Sequence, residues 1–215
     1  FLLSPSLETI GGTLKVRRVG REAFKDCAKL RTVFTGLKHI EESAFAGCAS
    51  IPAVNVSKAE YIENAAFARC SSLKSDLFII AEDIGDYAFS RCSAIPSVHI
   101  NNTVKNIGAK AFLECGDMEE LTFSENDELE IGVAAFMGCC RLRDVTVRGK
   151  IIGEEAFSTV GFDTLYVSFL QNLTIDNSVK TIKDKAFYKC RFIRTINIGN
   201  SVDTIGFAAF EGTYS

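Results

Sequence analysis

The sequence predicts one solenoid of α/β type, with a parallel β-sheet on one face, short helical or 3₁₀ turns on the other, and a core drawn out as a line between them. Three observations predict it. An Ala-Phe pair recurs nine times, each with isoleucine or valine four residues before the alanine. Successive phenylalanines are 21, 22, 22, 23, 24, 21, 30 and 23 residues apart. Behind most of the pairs, seven times in nine for cysteine, cysteine and apolar residues return at fixed offsets. Such self-similarity means one small unit that cannot bury its apolar face alone and is stacked on itself.

The unit opens on the apolar residue: Val19, Ile40, Ile62, Ile84, Ile107, Ile131, Ile152, Ile182 and Ile205. The pairs follow at Ala23-Phe24, Ala44-Phe45, Ala66-Phe67, Ala88-Phe89, Ala111-Phe112, Ala135-Phe136, Ala156-Phe157, Ala186-Phe187 and Ala209-Phe210. All spacings but one fall in the leucine-rich repeat window of roughly 20–29 residues. The Ala-Phe-x-x-Cys stretch has helical spacing but is too short for a stable lone helix, so one helical or 3₁₀ turn is expected. Six residues after Phe comes another apolar position, occupied by Leu30, Ile51, Leu73, Ile95, Met118, Leu142 and Ile193. Alternation then sets in, as in Val54-Asn55-Val56 and Ile196-Asn197-Ile198, the pattern of a half-buried strand. Gly85, Gly108, Gly132, Gly153 and Gly206 follow the isoleucine, where a backbone turn is expected. Stacked strands about 4.8 Å apart give an α/β-type leucine-rich repeat solenoid about 40 Å long.

Cysteine stands three residues after Phe at Cys27, Cys48, Cys70, Cys92, Cys115, Cys139 and Cys190, with Cys140 as the one extra. No C-x-x-C pair is present, so the spacing is not that of a metal site. One cysteine per unit reads as a small buried hydrophobe whose thiol donates to a backbone carbonyl. Cys140 falls off that position and is expected to be exposed and reactive.

The run Ser178-Val179-Lys180-Thr181-Ile182-Lys183-Asp184-Lys185-Ala186-Phe187-Tyr188-Lys189-Cys190 resembles the BspA-type (Treponema-type) leucine-rich repeat. Thr103-Val104-Lys105-Asn106-Ile107-Gly108-Ala109-Lys110-Ala111-Phe112-Leu113-Glu114-Cys115 matches equally well, and the resemblance covers nearly the whole chain. It implies a module of a cell-surface or secreted protein, with adhesion to host extracellular-matrix or cell-surface proteins as its function. An intracellular protein-interaction scaffold is the alternative, which unoxidised thiols favour.

One domain spanning 1–215 is expected, with about nine repeats and the aspect of a fragment of a longer array. Ladder ends left open in that way invite end-to-end self-association. The net charge is −3 and no basic block occurs, which argues against nucleic acid. Apolar runs are far shorter than a membrane span, so no direct membrane insertion is expected. No catalytic motif, phosphate loop or cofactor motif is found. His39 reads as a solvated turn residue, and Glu125, Asp127, Glu128 and Glu130 as a solvated acidic turn.

Recognition is therefore assigned to the strand face, at the residues between buried positions. These are Phe34, Asn55, Leu77, His99, Glu120, Thr122, Asp144, Thr146, Asn172, Thr174, Thr195 and Asn197. Phe34, Leu77 and His99 form an expected apolar row, although a register slip also accounts for Leu77. Repeat seven has 30 residues, and its extra segment carries Phe162, Tyr166 and Phe169. That segment is expected as a bulge packed on the core edge, with a loop on a binding face as the other reading. Asn55, Asn101 and Asn172 head N-x-[ST] triplets.

Overall fold

The computed structural model describes residues 2–11, 16–159 and 167–213. Each unit contributes to two parallel ladders. The first is a nine-stranded sheet of two-residue strands ending at the repeated isoleucine or valine: β1 (Arg18–Val19), β2 (His39–Ile40), β3 (Tyr61–Ile62), β5 (Asp83–Ile84), β7 (Asn106–Ile107), β9 (Glu130–Ile131), β11 (Ile151–Ile152), β13 (Thr181–Ile182) and β15 (Thr204–Ile205). They pair in register, so Ile107 lies beside Ile84 and Ile131. The second ladder lies at the alternating segments and is divided in two. One part is β4 (Leu77–Ile79), β6 (Ser97–Ile100) and β8 (Glu120–Phe123); the other is β10 (Asp144–Val147), β12 (Asn172–Ile175) and β14 (Thr195–Ile198). In β8 and β10 exposed and buried residues alternate strictly, as period two requires.

The Ala-Phe segment is not helical, and no helix occurs among the described residues. The backbone gives the reason. The residue two before each phenylalanine has a left-handed φ in all nine units, between +53° at Ala65 and +57° at Tyr87. In eight of the nine units, repeat seven being the exception, the residue two after it is left-handed as well: Asp26, Arg69, Arg91, Glu114 and Lys189, or glycine at Gly47, Gly138 and Gly212. These positions break any right-handed run. They also turn alternate N–H groups outward. Ala23, Lys25 and Cys27 donate back within the unit to Gly20, Glu22 and Phe24, whereas Glu22, Phe24 and Asp26 donate to Glu42, Ala44 and Ala46 of the next unit. A helix keeps such donors for itself; here half of them tie neighbouring repeats together. These inter-repeat bonds sustain a backbone conformation that costs on the order of 1–3 kcal/mol at each non-glycine residue.

The core runs along the stack. Nine phenylalanine rings form an unbroken column from Phe24 to Phe210, each 5.1–5.3 Å from the next with interplanar angles of 1–14°. The column passes through the long repeat without a gap, Phe157 and Phe187 lying 5.2 Å apart. The thiols form a second column. Cys48, Cys70, Cys92, Cys115, Cys139 and Cys190 are buried, and each donates to the phenylalanine carbonyl of the preceding unit at 2.9–3.3 Å. The buried-donor reading of the cysteines holds at these six positions. Cys140 is half-buried, not exposed, and burial followed by the nearby Glu114 carboxylate pushes its thiol pKa upward. It is therefore a poor candidate for a reactive thiol.

The recurrent glycines serve close approach and not turning. Gly85, Gly108, Gly132, Gly153 and Gly206 have no left-handed φ, but a Cβ on any of them would sit 2.4–2.6 Å from an atom of the preceding repeat's backbone. At Gly153 the obstacles are Ile131 O at 2.4 Å and the carbonyl of Gly132 at 2.6 Å, neither of which can rotate away. Gly153→Ala is therefore expected to destabilise the protein by about 1–3 kcal/mol through overpacking. Urea denaturation checks this; a midpoint equal to that of the parent chain would refute it.

Candidate functional site

The strand face presents rows of side chains fixed by register. In the C-terminal half Asp144, Asn172 and Thr195 lie side by side, and Thr146, Thr174 and Asn197 form the next row. All are exposed except Thr174, which is half-buried. Asn172 Nδ2 donates to Asp144 Oδ1 at 2.5 Å across neighbouring strands. In the N-terminal half Glu120 and Thr122 are exposed on β8, and Asn55 is exposed in repeat two. The side chains are small or polar, and the rows are continuous within each three-stranded sheet.

Two expected members of this face are not on it. Phe34 is buried, its ring 5.3 Å from Phe24 and 4.9 Å from Phe45. Leu77 is buried and pairs with Val98. Both repeats carry one extra residue between the preceding leucine and the strand: Leu30 to Phe34 and Leu73 to Leu77 are four steps, against three from Ile51 to Val54. A slip of one residue moves every side chain of a strand to the opposite face. The register-slip account of Leu77 is thus the right one, and the residue turned outward is Phe78, 54 % exposed. The expected row of Phe34, Leu77 and His99 is replaced by Phe78, His99 and Thr122, aligned across β4, β6 and β8. At the other end Ile198, expected in the ladder, is exposed because β14 is the outer strand of its sheet.

Around His99 the slip builds a polar chain across three repeats. Its Nδ1 lies 2.8 Å from Thr122 Oγ1 and its Nε2 3.3 Å from Ser97 Oγ. Ser97, itself buried, donates its hydroxyl to Asp76 Oδ1 at 2.5 Å. A hydroxyl has one proton, so Ser97 accepts from His99. That assigns the neutral imidazole as the Nε2–H tautomer, with Thr122 donating to Nδ1. The direction of the chain matters. The serine proton goes to the Asp76 carboxylate and not to the imidazole, so His99 is not placed as the base of a Ser-His-Asp relay. The Phe78 ring stacks on the imidazole, 4.4 Å away and 14° from parallel.

Beside Phe78 the sheet is interrupted. Because of the extra residue, β4 does not pair with repeat two. Ser75 Oγ instead accepts from Val54 N and donates to Val54 O, both at 3.3 Å. The interruption leaves a notch of 430 Å³ lined by Asn55, Ser57, Lys74, Ser75, Asp76 and Phe78.

Other surface features have simpler roles. Two carboxylates of the acidic turn of repeat five meet cations of the next unit: Arg148 lies 3.7 Å from Glu125, and also 3.9 Å from Asp176, and Lys150 lies 3.9 Å from Glu128. Among the described residues no group of three or more His, Cys, Asp or Glu side chains is placed to hold a metal ion. No helix of the described residues is long and apolar enough to cross a membrane. His39 belongs to β2 and lies against Tyr61 at 4.6 Å. On the turn face a groove of 520 Å³ runs over Ala46, Gly47, Ala65 and Ala68 between Lys25, Arg69, Arg91 and Lys110. In repeat seven, Phe162 and Tyr166 lie outside the described residues. Phe169 is exposed and stacks on Phe192 at 6.1 Å, while Leu170 returns the chain to the core.

The comparisons agree with this architecture. The sequence matches the model of the "BspA type Leucine rich repeat region" in six copies, over residues 1–79, 77–168 and 159–215. The fold resembles a leucine-rich repeat protein from Bacteroides ovatus, with TM-score 0.56 and 20 % identity over 99 % of this chain and 66 % of that one. It resembles the Treponema pallidum leucine-rich repeat protein with TM-score 0.54 and 21 % identity over 86 % of this chain and 77 % of that one. The pneumococcal vaccine antigen PcpA gives TM-score 0.51 and 16 % identity over 95 % of this chain and 57 % of that one. The chain thus spans less than two thirds of the Bacteroides and pneumococcal proteins. No curated protein matches its sequence.

Proposed function

The chain belongs to the BspA-type leucine-rich repeat family, and from that premise we propose that it is a non-enzymatic binding module of a cell-surface or secreted protein, adhering to a protein partner through its strand face. The observation that carries this reading is the pair of exposed rows Asp144–Asn172–Thr195 and Thr146–Thr174–Asn197, held in register by backbone pairing. Small polar side chains on a rigid sheet lose little entropy on docking. Affinity then comes from many modest contacts along the stack. The surface placement draws support from the family and from the description of the pneumococcal relative as a vaccine antigen.

An intracellular scaffold is the second reading, favoured by the column of reduced, buried thiols. The test uses collagen, fibronectin and laminin immobilised as probes. Retention of the chain on at least one is expected, falling by about tenfold or more for Thr146→Arg and Asn197→Arg. The turn-face variant Arg69→Ala is expected to bind like the parent. Equal losses from both faces, or no retention on any probe, would overturn the reading.

A further inference from the structure

We propose that the notch beside Phe78 is a subsite for a neutral carbohydrate, a pyranose unit lying with its C–H face on the Phe78 ring and its hydroxyls on Asp76, Asn55 and Lys74. The argument begins with the ring. Phe78 is 54 % exposed, with Ile80 also exposed two residues on, and one side of its ring rests on His99. His99 is in turn fixed at both nitrogens by Thr122 and Ser97. The result is a supported aromatic plate with its outer face open, not a loose side chain.

The polar groups beside the plate are uncommitted in a specific way. Asp76 uses one carboxylate oxygen on Ser97, and no other hydrogen bond or ion pair of its side chain is found among the described residues, so its second oxygen is an open acceptor. Asn55 spends its carbonyl oxygen on Ser57 N and Oγ, which leaves its NH₂ as an open donor. Lys74 enters no ion pair among the described residues. One cation and one anion cancel, so the notch favours neither a cationic nor an anionic ligand. Donors and acceptors at the edge of an apolar plate select a ligand that is hydroxylated at its rim and apolar on one face. The volume of 430 Å³ lies within the range of roughly 300–1,000 Å³ usual for small-ligand sites. An added peptide strand is the less suitable occupant, because Ser75 already takes both backbone groups of Val54 that such a strand would pair with.

The test probes the whole 215-residue chain against immobilised neutral glycans ending in glucose, galactose, mannose or N-acetylhexosamine, with sulfated glycans immobilised alongside. Retention on at least one class is expected, with about tenfold or greater loss in Phe78→Ala and Asp76→Asn. Saturation-transfer NMR with the retained glycan should show ring-proton transfer that disappears in Phe78→Ala. Phe78 is exposed, so its variant should melt like the parent, and a melting curve verifies that the fold is intact. Retention of none of the glycans overturns the proposal, as does retention indifferent to Phe78→Ala. Retention confined to sulfated glycans and lost in Arg69→Ala also overturns it, by placing the site in the turn-face groove. Asn197→Arg should leave glycan retention untouched, so failure of the protein-binding reading and failure of this one are separable.

Discussion

Replacing Phe112 by alanine is expected to lower stability by about 3–5 kcal/mol. The ring is fully buried in the middle of the column, 5.3 Å from Phe89 and 5.1 Å from Phe136, and nearly parallel to both. Removal loses the transfer free energy of a large side chain and leaves a cavity that cannot close. Closing it would require the flanking repeats to approach, and their spacing is held on both sides by backbone bonds, Phe89 N to Ala111 O and Phe112 N to Ala135 O. Two stacked ring pairs are lost as well, each worth about 0.5–1.5 kcal/mol beyond area burial. In a linear array a weak central interface also uncouples the halves, so the variant should unfold over a broader urea range than the parent. Phe112→Leu, which keeps most of the volume, should lose clearly less. A loss below about 1 kcal/mol for the alanine variant would mean that the column is not the principal core.

Alkaline destabilisation is the second large effect. Burial raises the thiol pKa values of Cys48 and Cys190 to about 12 from an ordinary value of 9.0, and burial moves Cys70, Cys115 and Cys139 in the same direction. Below about pH 9 both folded and unfolded chains hold these protons, and the contribution of the thiols to stability is fully present. Above it the unfolded chain ionises first, the folded chain binds more protons, and stability falls until the folded pKa is passed. Each such thiol contributes a slope of about −1.4 kcal/mol per pH unit. Cys48 and Cys190 alone should therefore cost on the order of 2–3 kcal/mol between about pH 9.5 and 10.5. Urea midpoints measured under reducing conditions across this range should fall steeply, and less steeply in the double variant Cys48→Ala, Cys190→Ala. Equal slopes in the two proteins would remove the thiols from the explanation.

Much of this was legible without coordinates, because a repeated unit must repeat its environment. Isoleucine, phenylalanine and cysteine at fixed offsets marked the buried columns, and the thiol bonds to backbone carbonyls followed from the corner position. The alternating segments read correctly where the offset from phenylalanine was standard: Glu120, Thr122, Asp144, Thr146, Asn172, Thr195 and Asn197 are all exposed. It failed at Phe34 and Leu77. A template counted from phenylalanine does not register one extra residue, and with a side-chain period of two a single step inverts the face. The signal was nonetheless present in the four-step gaps from Leu30 and Leu73. The helical turn failed for another reason: Ala-Phe-x-x-Cys satisfies helical spacing, while the left-handed residues at Glu22 or Lys110 carry no signature of their own.

What the sequence determined by itself is the stacking: its period, its direction and the residues that lie along its core, all consequences of burying identical surfaces against one another. What only the tertiary structure decided is where that regularity gives way. Left-handed backbone at the turns is sustained by hydrogen bonds to the next repeat, which no single unit contains. The notch at Phe78, with Asp76, Ser97, His99 and Thr122 joined in one polar chain, exists because a local insertion in one repeat is read against the unshifted registers of its neighbours. Side chains from several units meet there only after stacking, so their chemistry belongs to the array and to no repeat within it.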